Sequence, residues 1–510
     1  MRIAIVHYHL QPGGVSRIIE HTVRGLASVS KTDGVSKTDD YRVSLVVLTG
    51  KAPPDPLPIP VRVLPGLLYE GVRDPVSPAR LEQQMVDAAT DALGGVPDLW
   101  HVHNHSLGKN LALPVALHGL AEKGHHLLLH IHDFAEDGRP ANYHLMLDKL
   151  AGHDPATMSR LLYPRGAHVH YGVLNRRDCT FLREAGVDEA CLWRLPNPVQ
   201  LPDSLPAGED QVVSEAVCRR QTVCRRQTEH LWLYPTRAIR RKNLGEFLLW
   251  AAVAGPGHRF ATTMGPENPR ERPRYEAWKR LAAELGLPVE FELSRRPGQS
   301  FEGLLRQASA LVTTSVAEGF GLAFLEPWLA GRPVCGRDLP EITDEFRDEG
   351  VRLPLLYHRL GVPVEWLGRG RIRDRAWAGL ERSLEAYGRR PAPDSLERLL
   401  EAWIQNDRVD FGRLDEEMQE IVLRRVVADP QEAGHLEPTF FPDPAACRED
   451  IAHNREILAA RYSLEGYGTR LMQVYQALAG STATKLDQLD GEILLNRFLA
   501  PERLTLLRVD

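Results

Sequence analysis

Along the first 200 residues, short apolar runs alternate with longer amphipathic stretches. The runs at 2–6, 42–48, 99–102, 127–131 and 168–173 are nearly continuously apolar, the pattern of strands buried on both faces. Between or after them, 16–27, 80–93 and 107–122 read as helices. Strands that alternate with helices predict a parallel sheet covered on both faces. The pattern halts at Leu195-Pro196-Asn197-Pro198-Val199 and the polar stretch after it. It then restarts: a strand at 231–234, a helix from about 243, a strand near 259–263, a helix around 275–285, and strands at 289–292 and 310–314. Two successive α/β halves follow, with a cleft between them as the expected ligand site.

Beyond about residue 355 the pattern turns mostly helical, through 375–387, 395–405 and 415–427. The proline-rich stretch 437–446 reads as an extended crossing, followed by helices around 448–460 and 464–479. The tail from 481 to 510 gives no firm pattern. The domains expected are therefore 1–200, then 231–445 with a helical insertion at about 356–430, then 446–510 as helices packing back on the first domain.

Length and composition narrow the class. At 510 residues the chain exceeds a single domain, and 43% apolar with 25% charged residues is ordinary for a globular protein. A net charge of -6 gives no reason to expect nucleic acid as a partner. No apolar run reaches the roughly 18–20 residues of a membrane span, so membrane association is not indicated. The run Arg2-Ile3-Ala4-Ile5-Val6 lacks the flanks of a signal peptide, and the six cysteines form no Cys-x-x-Cys pair. A cytoplasmic protein is expected. Two six-residue tandem repeats, at 29–40 and 217–228, are far shorter than solenoid units and read as duplications in exposed loops.

Three segments carry candidate chemistry. The first strand leads through His7-Tyr8-His9-Leu10-Gln11-Pro12 into Gly13-Gly14 and a helix. A glycine pair there lets backbone approach a phosphate, or equally permits a turn with tight helix packing. It matches neither G-x-G-x-x-G nor a P-loop. The second segment, Pro235-Thr236-Arg237-Ala238-Ile239-Arg240-Arg241-Lys242-Asn243, follows a strand at the carboxyl edge where α/β proteins place ligands. Arginine supplies a fork of donors and lysine a point charge, a pair suited to a diphosphate. The third runs from Thr314 through Glu318-Gly319-Phe320-Gly321 to Glu326. If helical, it would set the two carboxylates some 12 Å apart along the axis, too far for a retaining glycosidase pair at about 5–5.5 Å. His101, His103 and His105 alternate, and neutral histidines at a cleft edge are a simpler reading than a metal triad.

Glu318 to Glu326 resembles the E-x7-E signature of family-4 retaining glycosyltransferases, which have the GT-B fold of two Rossmann-like, doubly wound domains facing each other across a cleft. Ala330-Gly331-Arg332-Pro333-Val334 and Pro340-Glu341-Ile342 agree with the surroundings of that signature. The resemblance implies that Arg237 and Lys242, in R-x4-K spacing, bind the donor diphosphate, which Gly13 and Gly14 approach from the other domain. It implies that Gly319, Phe320 and Gly321 line the donor site, that Glu318 binds sugar hydroxyls and Glu326 the ribose. His130-Ile131-His132-Asp133 resembles the family's histidine-aspartate and places His132 by the donor sugar; Arg461-Tyr462-Ser463 resembles its C-terminal crossing. Pro327-Trp328 departs from the pattern, and a proline inside a helix would kink it and move Glu326.

The expected function is a retaining hexosyltransferase that uses a nucleotide-sugar of UDP-glucose or GDP-mannose type, without metal or other cofactor. The acceptor would be a small molecule or saccharide hydroxyl, with a hexosyl-glycerate type of solute as one class. The alternatives are a phosphorylase or epimerase of the same fold, or a nucleotide-sugar-binding protein without turnover. Oligomeric state, homo-oligomer included, is left open.

Overall fold

The computed structural model describes residues 1–32, 43–72, 76–200, 230–438, 441 and 443–509. The second tandem repeat and most of the first lie outside the described residues. The chain divides into two compact units. Unit 1 comprises Met1–Pro198, Ala386–Gly388 and Tyr462–Ala500; unit 2 comprises Val199–Glu385, Arg389–Arg461 and Pro501–Asp510.

Unit 1 is built on β1 (Arg2–His7), β2 (Ser44–Thr49), β3 (Val61–Val63), β4 (Leu99–His103), β5 (Leu127–Ile131), β6 (Val169–Val173) and β7 (Leu192–Arg194). They form one parallel sheet in the order β3-β2-β1-β4-β5-β6-β7. Register places Ile5 beside His101 and His103 beside His130. β4, β5 and β6 are buried along their whole length. One face packs Val6, Trp100, Val102 and Leu129 on the helices Pro78–Leu93 and Ala112–Glu122. The other packs Ile3, Ile5, Leu99 and Leu128 under the helices Gly14–Thr32 and Leu464–Ala479. Those two helices come so close that a Cβ on Gly25 would stand 2.8 Å from the Leu464 carbonyl oxygen.

Unit 2 repeats the plan with β8 (His230–Tyr234), β9 (His258–Thr262), β10 (Val289–Glu290), β11 (Ala310–Thr313), β12 (Val334–Arg337) and β13 (Leu356–Tyr357). Their order is β10-β9-β8-β11-β12-β13, again all parallel. In each unit the winding reverses beside the first strand, between β1 and β4 and between β8 and β11. This is the switch point where open α/β sheets bind ligands at the strands' carboxyl ends.

The expected helical insertion contains the helices Arg369–Glu385, Ser395–Trp403 and Glu416–Ala428, but also a small antiparallel sheet of Gly361–Pro363, Arg408–Asp410 and Ile404–Gln405. Asp410 of that sheet joins Glu246 around the buried Arg337 guanidinium, which fastens the insertion to β12. Only Ala386–Gly388 belong to unit 1, where the Tyr387 hydroxyl accepts from the Arg139 amide at 2.7 Å and donates to the Ala135 carbonyl at 2.9 Å.

The C-terminal boundary differs from the expected 446–510. The helix Arg448–Arg461 stays in unit 2, where Asn454 bonds both the amide and the carbonyl of Arg352 at 2.8 Å. The chain passes into unit 1 at Tyr462, and Ser463 caps the next helix through the Gly466 amide at 3.1 Å. Pro501–Asp510 return to unit 2, where the Leu504 carbonyl accepts from Trp403 Nε1 at 3.0 Å. Among the described residues no helix is long and apolar enough to cross a membrane.

Candidate active site

Two loops leave the carboxyl edge of the unit 2 sheet side by side. The loop after β8 runs through residues 235–243, and the loop after β11 through 314–321. Thr314 Oγ1 donates to the carbonyls of Lys242 and Asn243 at 3.0 Å, and the Val316 amide donates to the Arg241 carbonyl at 2.9 Å. The Tyr234 hydroxyl donates to the Lys242 carbonyl at 2.9 Å and lies 3.1 Å from Ser315 Oγ. Ala238 and Asn243 hold φ values of 45° and 51°, uncommon for residues other than glycine and the kind of strain found at functional turns.

The four basic residues of the first loop part company. Arg240 turns to the insertion and forms a two-pronged pair with Glu416 at 2.6 and 2.8 Å. Arg237 is exposed and pairs with Glu267 at 3.4 Å. Lys242 donates to Glu318 Oε1, while Arg241 Nη1 donates to Glu318 Oε2 at 3.0 Å and to the Ala317 carbonyl. The R-x4-K spacing thus does not bring Arg237 to Glu318; the cations that meet there are Lys242 and Arg241. Arg241 was one of a basic run with nothing in the sequence to single it out. Burial raises the Glu318 carboxyl, but Lys242 and Arg241 outweigh it and bring the pKa down to about 2. Burial lowers the Lys242 ammonium, with Glu318 acting against the shift.

The segment from Glu318 to Glu326 is not one helix. Gly321 sits at φ 93°, a 3-10 turn spans Leu322–Phe324, and a one-turn helix covers Glu326–Leu329. The separation argued from a helical rise therefore does not apply. Nor does Pro327 kink a helix: it stands in the first turn, where its missing N–H breaks no hydrogen bond. Gly321 is required by its backbone and by space, since a Cβ there would lie 2.9 Å from Ile342 Cγ2. Phe320 is buried with its ring 5.6 Å from that of Phe346, so its side chain belongs to the core. Glu326 is half-buried at the start of the short helix.

In unit 1, Gly13 and Gly14 precede and open the first helix, whose first turn carries no acid. Neither glycine has a left-handed φ, and a Cβ on Gly14 would meet nothing within 4 Å. Tight packing is thus not what requires this pair, in contrast to Gly25.

His132 follows β5. Its amide donates to Asn104 Oδ1 at 2.7 Å, and its Nε2 lies 2.9 Å from His103 Nδ1. Burial lowers its pKa to about 3, so the ring is neutral. His105 departs from the alternating run and bonds the Leu162 carbonyl at 2.7 Å. His101 and His103 are fully buried rather than at a cleft edge, and join His130 and His132 in a layer of stacked rings. One ring nitrogen from each of His101, His103 and His130 lies within 4.8 Å of the other two, the geometry of a group able to hold a metal ion.

No family model matches the chain. The mannosylglucosyl-3-phosphoglycerate synthase of Petrotoga mobilis is 22% identical over 530 residues, covering 99% of this chain and 98% of that protein. A solved glycosyltransferase from Rickettsia africae superimposes with a TM-score of 0.51 at 10% identity, over 94% of this chain and 98% of that one. Sucrose-phosphate synthase from Thermosynechococcus elongatus gives a TM-score of 0.48 at 16% identity, over 93% and 98%. The architecture of two Rossmann-like units is that of the GT-B enzymes. With a full-length synthase as relative, the chain is a GT-B glycosyltransferase.

Proposed function

We propose that this enzyme is a retaining hexosyltransferase of the family-4 type, working in the cytoplasm without metal at the diphosphate, and moving a hexose from a nucleotide-sugar to an acceptor hydroxyl. The observation that carries the reading is the clasp of Lys242 and Arg241 on Glu318 at the carboxyl edge of β8 and β11. Without donor, Glu318 pairs with both cations and leaves one net positive charge between them. A diphosphate offers them a denser negative charge, so its arrival would release Glu318 to accept from sugar hydroxyls. Lys242, with Arg241 or Arg237, then offsets charge that develops on the departing phosphate. The leaving phosphate oxygen takes the acceptor proton and attack comes on the face of departure, so no protein nucleophile is assigned. Glu326 would hold the ribose. Gly13 and Gly14 leave room for phosphate oxygens beside a helix start free of acids.

His132 works as a neutral group. Its Nε2 and amide are committed to His103 and Asn104, so its polar contact with a sugar falls to ring Nδ1 or the carbonyl. The full-length relative's product name points to a sugar-substituted phosphoglycerate as the acceptor class, with GDP-mannose and UDP-glucose as the first donors to try. A thermal-shift panel of nucleoside diphosphates and nucleotide-sugars without metal tests the reading. A donor at 100 times its Kd should stabilise the fold by about 2.7 kcal/mol. Lys242→Ala should abolish the shift; no shift with any nucleotide would overturn the donor-site assignment.

A further inference from the structure

Unit 1 buries an imidazole layer of which the proposed transfer chemistry uses only His132. His7 ends β1, His101 and His103 lie on β4, His130 on β5, and His132 just beyond it. Alternate residues share a face, so these rings extend the face formed by Ile3, Ile5, Leu99 and Leu128. The helix Leu464–Ala479 covers that face and sends the Tyr475 hydroxyl to His101 Nδ1 at 2.8 Å. Parallel strands normally fill such positions with aliphatic side chains, and burying a polar ring without a partner is costly. Yet His103 Nε2 and His130 Nε2 are buried with no hydrogen-bond partner. Ring centroids stand 4.3 Å apart for His101 and His103, and 5.1 Å apart for His103 and His130.

We propose that His101, His103 and His130 together bind one divalent transition-metal ion, zinc in the first instance, enclosed within unit 1. Nitrogen ligands at about 2.0–2.1 Å from a tetrahedral ion stand roughly 3.3 Å from one another. His101 Nε2 and His130 Nδ1 are 3.1 Å apart, close to that edge, and the ion would take the place of the hydrogen bond between them. His103 would supply its unpartnered Nε2, with small ring rotations closing the 4.8 Å group. Two of the three ligands already have the outer partners that orient metal-bound histidines: Tyr475 on His101 Nδ1, and His132 Nε2 on His103 Nδ1. An all-imidazole set without carboxylate selects zinc, nickel or copper over magnesium or calcium.

All three ligands are fully buried, so the ion is structural: it ties β4 to β5 beneath the covering helix. The test uses the full chain without a polyhistidine tag, produced in zinc-supplemented and separately in cobalt-supplemented medium. One metal ion per chain is expected by elemental mass spectrometry, with visible d–d bands from the cobalt protein. His103→Asn and His130→Asn should each lower the content several-fold, whereas His105→Asn should leave it near one. Wild-type chain that holds well under one equivalent from both media, and again after refolding with either ion, overturns the proposal whether or not the variants fold. Full metal content in folded His103→Asn or His130→Asn overturns it as well.

Discussion

Asp410 accepts two hydrogen bonds from the Arg337 guanidinium, at 2.8 and 3.0 Å, across 73 residues of chain. Arg337 gives its remaining donors to Glu246, and all three residues are buried. One guanidinium does not neutralise two carboxylates equally. Burial raises both; at Glu246 it prevails, while at Asp410 Arg337, Arg413 and the Leu360 amide bring the pKa to about 2. Asp410→Asn should cost about 3–5 kcal/mol in urea unfolding, the usual penalty for breaking a buried pair. The Asp410 contribution is present in full above its ordinary value of 3.8 and is lost as pH falls from there through about 2.

Glu136 gives the opposite sign. Its carboxyl is buried, accepts from the Tyr163 hydroxyl at 3.0 and 3.1 Å, and is pushed up by burial to about 7. The folded state therefore holds this proton more tightly than the unfolded chain. The associated stability is complete below about pH 4.5 and drains away as pH rises through about 7, by up to about 3 kcal/mol. Glu136→Gln should flatten this part of the profile, as chemical denaturation at a series of pH values would show.

Lys242→Ala should lower kcat by about 100–1000-fold, the scale for loss of one preorganised donor to a developing negative charge. Arg241→Ala and Arg237→Ala, compared in the same steady-state assay, decide which arginine shares the diphosphate. The clasp favours the larger loss at Arg241.

Two glycines on one helix separate folding from binding. Gly25→Ala forces a Cβ toward the Leu464 carbonyl and should cost about 1–3 kcal/mol in thermal unfolding. Gly14→Ala meets no atom within 4 Å, so its melting temperature should hold while the KM for the donor rises.

Apolar runs located most of the parallel strands within a residue or two, because burial on both faces leaves an unbroken signal in one dimension. β3, β7, β12 and β13, each only two to four residues long, gave no run long enough to read. Glu318 and Glu326 were singled out by their resemblance to an E-x7-E signature and its surroundings. What their spacing did not carry was backbone shape, since a left-handed Gly321 breaks the helix that a regular rise assumes. The selection of Arg241 over its neighbours depends on how two loops lie side by side. The histidine layer was hidden for a related reason: it is assembled across β1, β4 and β5, and only their register brings 101, 103 and 130 together. Tyr387, a unit 1 residue next to a unit 2 helix, had no local signal at all.

The division of the chain has a genetic consequence. It passes between units after Pro198, Glu385, Gly388, Arg461 and Ala500. No single stretch of coding sequence therefore specifies either unit whole. A crossover that exchanged the first 200 codons with those of another glycosyltransferase would import a sheet without its covering helix Leu464–Ala479. Change of donor or acceptor by swapping whole units is thus obstructed, and new specificity is left to point changes and loop growth within an intact gene.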